Sequence, residues 1–94
     1  MIIIAGWIAV DPQAREAYLR TCVDAVEQAR ASAGCLDFTL GADLADSGRI
    51  NVYERWESAE ALAAFRTSGP SDEQTTMIRD AEVLRYEISG AGPA

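Results

Sequence analysis

The run Ile50-Asn51-Val52-Tyr53-Glu54-Arg55-Trp56-Glu57 carries the residues of this chain best suited to chemistry. Alternation along an extended backbone puts Ile50, Val52, Glu54 and Trp56 on one side. A carboxylate and an indole then share a face with aliphatic side chains that should meet helices. Carboxylates rarely occupy such a face without a partner or a task. Apolar neighbours raise a carboxyl pKa, which suits a general base, so Glu54 is a catalytic candidate. The structural alternative is a carboxylate held by backbone hydrogen bonds or by an arginine. Trp56 is the second candidate: an indole can stack on a flat aromatic molecule and donate its N–H to an oxygen. Its alternative is a core tryptophan at a strand end.

Phe38, Val52, Leu62, Phe65 and Tyr86 are expected to line the same space as substrate-binding residues, with Tyr18 near its rim. Cys22 has no histidine or lysine nearby in sequence to activate it and reads as an inert thiol. Neither Cys22 nor Cys35 sits in a metal-ligand spacing, and the chain has no histidine. No metal site is expected. The sequence has no G-x-G-x-x-G and no P-loop, so no nucleotide cofactor is expected either.

Seven segments must position these side chains. Ile2 to Val10 reads as a strand, apolar on both faces and therefore central. Asp11-Pro12 should open a long helix that runs to about Ala33, burying Tyr18, Cys22, Ala25, Val26, Ala29 and Ala33, and Gly34 should stop it. Cys35 to Leu44 and Arg49 to Glu57 form a hairpin around Asp46-Ser47-Gly48, with Leu36, Phe38 and Leu40 on one face. Ser58 caps a second helix through roughly Thr67 that buries Leu62 and Phe65. Ser68-Gly69-Pro70 breaks it, and Ser71 with Gln74 resembles a capping box for a short third helix containing Met77 and Ile78. Ala81 to Ser89 is the last strand, with Leu84, Tyr86 and Ile88 aligned.

The order strand, helix, strand, strand, helix, strand folds into an α+β, ferredoxin-like βαββαβ sandwich: a four-stranded antiparallel sheet with helices on one face. Residues 1–90 form one domain and 91–94 a flexible tail. The uncovered face is expected to present Ile3, Trp7, Tyr53 and Val83 among Asp37, Arg55 and Arg85. An apolar patch of that kind marks an interface, here a two-fold homodimer with sheets facing each other. A chain of 94 residues makes a thin core that association would reinforce.

A net charge of −7 and a pI near 4.3 oppose binding to nucleic acid or anionic lipid. Arg49 to Trp56 also lacks the basic and stacking pattern of an RNA-binding strand. No segment is long enough to span a bilayer, and Met1 to Val10 lacks the basic start of a signal peptide. With reduced thiols, a cytoplasmic protein is expected.

The chain resembles the antibiotic biosynthesis monooxygenase family of dimeric ferredoxin-like proteins. The likeness rests on the Ile-rich first strand, on Gly34-Cys35-Leu36 after a long helix, and on Glu54-Arg55-Trp56-Glu57 before an alanine-rich second helix. It implies a cofactor-independent monooxygenase that oxidises an aromatic polyphenol or polyketide with O2 to a quinone. A non-catalytic small-molecule-binding or regulatory dimer of the same fold is the alternative. Two departures stand out. The third helix, Asp72 to Asp80, is short and polar where relatives are longer. In relatives that oxidise aromatic polyketides, the tryptophan is accompanied by an asparagine four residues earlier, a tyrosine six residues later and an arginine in the third helix. Here Val52 and Leu62 stand at the first two positions, and Arg79 lies near the third. Related dimers also degrade haem with a histidine ligand, which this chain lacks.

Overall fold

The structure, a computed structural model, describes residues 1–66 and 72–94. The expected break at Ser68-Gly69-Pro70 and the Ser71 cap lie outside those residues. The elements run β1 (Ile2–Ala9), α1 (Arg15–Thr21), α2 (Val23–Ala31), β2 (Cys35–Ala42), β3 (Arg49–Trp56), α3 (Ala59–Arg66), α4 (Asp72–Met77) and β4 (Asp80–Glu87). The sheet order is β2-β3-β1-β4, with every neighbouring pair antiparallel. This is the expected α+β, ferredoxin-like arrangement, with the apolar β1 inside and β2 and β4 at the edges.

The first helix departs from expectation. Asp11 and Pro12 form a turn instead of a helix start, with Ala14 N–H bonded to the Asp11 carbonyl, and regular helix begins at Arg15. It is also interrupted at Cys22, whose N–H bonds three residues back to Leu19. The Thr21 hydroxyl donates to the Tyr18 carbonyl at 2.6 Å. Such back-bonding tightens and bends a helix. The buried side chains fall into two clusters. One cluster gathers Ile2, Ile4, Ala29, Phe38, Trp56 and Leu62; the other gathers Val10, Tyr18, Cys22 and Ile50.

Helix α2 stops at Ala31, with Ser32 already extended and Ala33 exposed, so the expected run to Ala33 falls short and Gly34 stands in the turn that follows. The Gly34 φ is +82°, and a Cβ there would lie 2.5 Å from the Ala61 Cβ. The position needs glycine twice, once for the left-handed backbone and once to let α3 close down. Beyond it, β2 carries a bulge between Cys35 and Asp37. Cys35 pairs with Trp56 and packs on the core, while Leu36 turns outward at 39% exposure. The expected Leu36–Phe38–Leu40 stripe is therefore broken at its start, because the extra residue shifts the alternation.

The register also corrects the last strand. Ile3 pairs with Tyr86, Ala5 with Leu84, and Ile4 with Arg85. Directly opposed residues share a face. Leu84 and Tyr86 thus lie on the open face, and Val83 and Arg85 lie on the helix side, the reverse of the expected parity. All eight β4 residues are exposed.

Candidate functional site

Along β3, Ile50, Val52, Glu54 and Trp56 are all buried on the helix side, as alternation requires. Glu54 sits between Phe38 of β2 and Ile4 of β1, and Trp56 sits between Cys35 and Ile2. Two residues apart on one face, the carboxylate and the indole reach each other: Trp56 Nε1 donates to Glu54 Oε1 at 3.0 Å. The indole is fully buried, so its N–H is committed to Glu54.

Helix α3 roofs the pair. Ser58 Oγ accepts from Ala61 N–H, capping the helix and setting its entry angle. Leu62 is 2% exposed. The Phe65 ring lies 5.3 Å from the indole centroid, tilted by 32°, and meets Phe38 edge-on at 5.6 Å. Glu54, Trp56, Phe38, Leu62 and Phe65 form one compact group, and Val52 lies one step along the same face of β3. Tyr86 does not join them. It is 47% exposed on the other side of the sheet, because its pairing with Ile3 sets its parity.

Tyr18 also lies away from Glu54, in the second cluster beside Cys22. Its hydroxyl pKa is pushed up to about 12, chiefly by burial and then by the Cys22 thiol. A groove of about 500 Å³ opens near that end, between Leu19, Cys22, Val23 and Val26 of the helices and Leu40 of β2. None of the expected site residues lines it.

One residue that sequence reasoning passed over belongs to the site. Arg66, the last residue of α3, places Nη2 3.8 Å from Glu54 Oε2. Its position four residues after Leu62 was the available signal, since i and i+4 share a helix face. The separation is too long for a hydrogen bond. Arg66 is half exposed, whereas the Glu54 side chain is almost wholly enclosed. Burial raises the Glu54 pKa above its ordinary value, and the indole N–H and Arg66 partly offset that rise. The result is an enclosed carboxylate with one oxygen engaged and the other facing a cation at the edge of solvent. That arrangement can accept a proton from a bound acid and stabilise the anion left behind. Among the described residues, no cluster of three or more His, Cys, Asp or Glu side chains could hold a metal ion, and no helix is long and apolar enough to cross a membrane.

Comparison with known proteins agrees with the sequence resemblance. Residues 1–75 match the model of the family described as antibiotic biosynthesis monooxygenase. Among solved structures, the chain is similar to Rv0793 from Mycobacterium tuberculosis, with 26% identity, 98% of each chain covered and a TM-score of 0.75. A Deinococcus radiodurans protein, described as a candidate antibiotic biosynthesis monooxygenase, superimposes with a TM-score of 0.80 over 100% of this chain and 98% of its own, at 19% identity. A third structure, named as an antibiotic biosynthesis monooxygenase, covers 96% of this chain and 100% of its own at 21% identity, with a TM-score of 0.76. Among curated proteins none matches.

Proposed function

Because this chain belongs to the antibiotic biosynthesis monooxygenase family, we propose that it is a cofactor-independent monooxygenase, working as a homodimer, that oxidises an aromatic polyphenol or polyketide with O2 to a quinone. The observation that carries this reading is the buried Glu54, bonded to Trp56 and walled by Phe38, Leu62 and Phe65. An electron-rich phenol needs little help once ionised, because the phenolate itself can reduce oxygen. Glu54 takes the phenolic proton. One electron passes to O2, and the radical pair joins at a ring carbon to give a hydroperoxide. Loss of the proton on that carbon and cleavage of the O–O bond leave a carbonyl and water. One oxygen atom of O2 thus enters the ring and the other leaves as water, and the phenol supplies all the electrons. The enclosed apolar wall favours the reaction by excluding water from the intermediates.

Trp56 acts in this scheme through Glu54, since its N–H is the hydrogen bond that orients the carboxylate. The test is oxygen uptake with a panel of anthrones and naphthols, without added cofactor. Uptake that the wild type supports and Glu54→Gln loses is the expected result. A flat trace across the panel would replace this reading with the non-catalytic small-molecule-binding dimer.

A further inference from the structure

We propose that Arg66 holds the ionised oxygen of a hydroxyarene substrate while Glu54 Oε2 receives its proton. The assignment rests on the oxygenase reading above and names a substrate class for it. The two carboxylate oxygens are not equivalent. Oε1 accepts the indole N–H at 3.0 Å, whereas Oε2 faces, among the described residues, the Arg66 guanidinium 3.8 Å away. Arg66 in turn has five N–H donors, and its ion pair among the described residues is this one. A hydroxyl entering from the solvent side would meet the base and the cation together. Proton transfer to Oε2 neutralises Glu54, which frees the guanidinium for the new phenolate. Charge is conserved at the site, and the burial that disfavours ionised Glu54 works in the direction of transfer.

The planar fork of arginine favours two oxygens side by side. A phenol flanked by a carbonyl on the adjoining ring position presents that pattern; an isolated alkyl alcohol does not. Around Glu54, the charged or titratable neighbours among the described residues are few. Cys35 of β2 feels the Glu54 charge, Arg66 comes from α3, and Arg85 of β4 lies one strand beyond Ile4. Helix α2 contributes the apolar Ala29 and Val26 to this cluster, and its Arg30, which acts on Cys35, is tied by Nε to the Phe38 carbonyl at 2.9 Å. Arg66 is therefore the cation placed to meet a ligand at Oε2.

The experiment titrates the full chain with 4-nitro-1-naphthol, whose phenolate is coloured, and with its methyl ether, which cannot ionise. Wild type should bind the naphthol as phenolate, with an apparent pKa below that in buffer, and bind the ether more weakly. Arg66→Gln should lose the ionisation shift and about tenfold or more in phenolate affinity, the scale of a charge-assisted hydrogen bond. Arg66→Lys, which keeps the charge without the fork, should retain part of both and guards against a folding artefact. A shift that survives in Arg66→Gln, or equal binding of naphthol and ether by wild type, overturns the assignment; oxygen uptake by wild type would still leave the oxygenase reading standing. Failure of wild type to bind either probe, together with a flat oxygen trace, overturns both.

Discussion

Burial, and a hydrogen bond between near neighbours on one strand that partly offsets it, set how Glu54 behaves. The indole N–H favours the ionised carboxylate, and burial opposes it more strongly. Replacing Trp56 by phenylalanine removes the favourable part. The Glu54 pKa should then rise further, and the acidic limb of the pH–rate profile should move to higher pH, as steady-state oxygen uptake would record. A tryptophan used only for stacking would change the rate without moving that limb. Glu54→Gln keeps the shape and the acceptor for the indole but removes the base, so turnover should fall by about 10²–10⁴-fold. Stability should respond differently. A carboxyl whose folded pKa lies above its unfolded value binds more protons when folded. Stability therefore falls as pH rises from the unfolded pKa to the folded one, and is level beyond it. Chemical denaturation of Glu54→Gln across the acid range should lack that fall. A wild type that gains stability over the same window, with Glu54→Gln removing the gain, would contradict the sign of the shift.

At the scale of elements, what the sequence reveals depends on whether a local rule or a long-range pairing decides. Glu54 and Trp56 could be placed because β3 runs unbroken for eight residues with a buried residue at every second position. Ser58 and Gly34 could be placed because caps and left-handed residues are local. Leu36 could not, since its outward turn follows from a bulge defined only against β3. Nor could Tyr86, whose face is set by pairing with Ile3; β4 has apolar residues in both parities, so its pattern contains no tie-breaker. The helix break at Cys22 coincides with one Thr21 hydroxyl bonded back to Tyr18, too small a signal against an otherwise continuous apolar stripe. Arg66 was legible in spacing alone, yet terminal helix arginines are usually solvated. These elements also make Gly34 a sensitive joint. An added methyl there would combine left-handed strain with overlap on Ala61, so Gly34→Ala should cost about 2–4 kcal/mol. For a domain this size the midpoint should drop by about 4–8 °C per kcal/mol. Thermal melts showing no change would mean that α3 shifts freely, and the roof over Trp56 with it.

For the whole molecule, the unfinished surface is the sheet face away from the helices. Ile3, Ala5, Trp7, Tyr53, Leu84 and Tyr86 share it, with Leu84 and Tyr86 about half exposed. The same face carries Arg55, whose Nε is sealed from water with no hydrogen-bond acceptor among the described residues. A buried donor left unpaired costs about 1–3 kcal/mol, and an acceptor from a second copy would remove that cost. Apolar area and an orphan donor on one face together favour a two-fold, sheet-to-sheet dimer over a monomer. The β4 register makes this testable with neighbouring residues. Leu84→Arg puts a charge on the open face, opposite Ala5, and should yield a folded monomer in sedimentation velocity at tens-of-micromolar concentrations where the wild type should sediment as a dimer. Val83→Arg puts the same charge one residue away, on the helix side, and should leave the dimer intact. If both substitutions dissociate the dimer, the partner embraces β4 from both sides; if only Val83→Arg does, copies meet along the helix face. A wild type that sediments as a monomer would leave Arg55 unsatisfied in solution and remove the dimer from the proposed function.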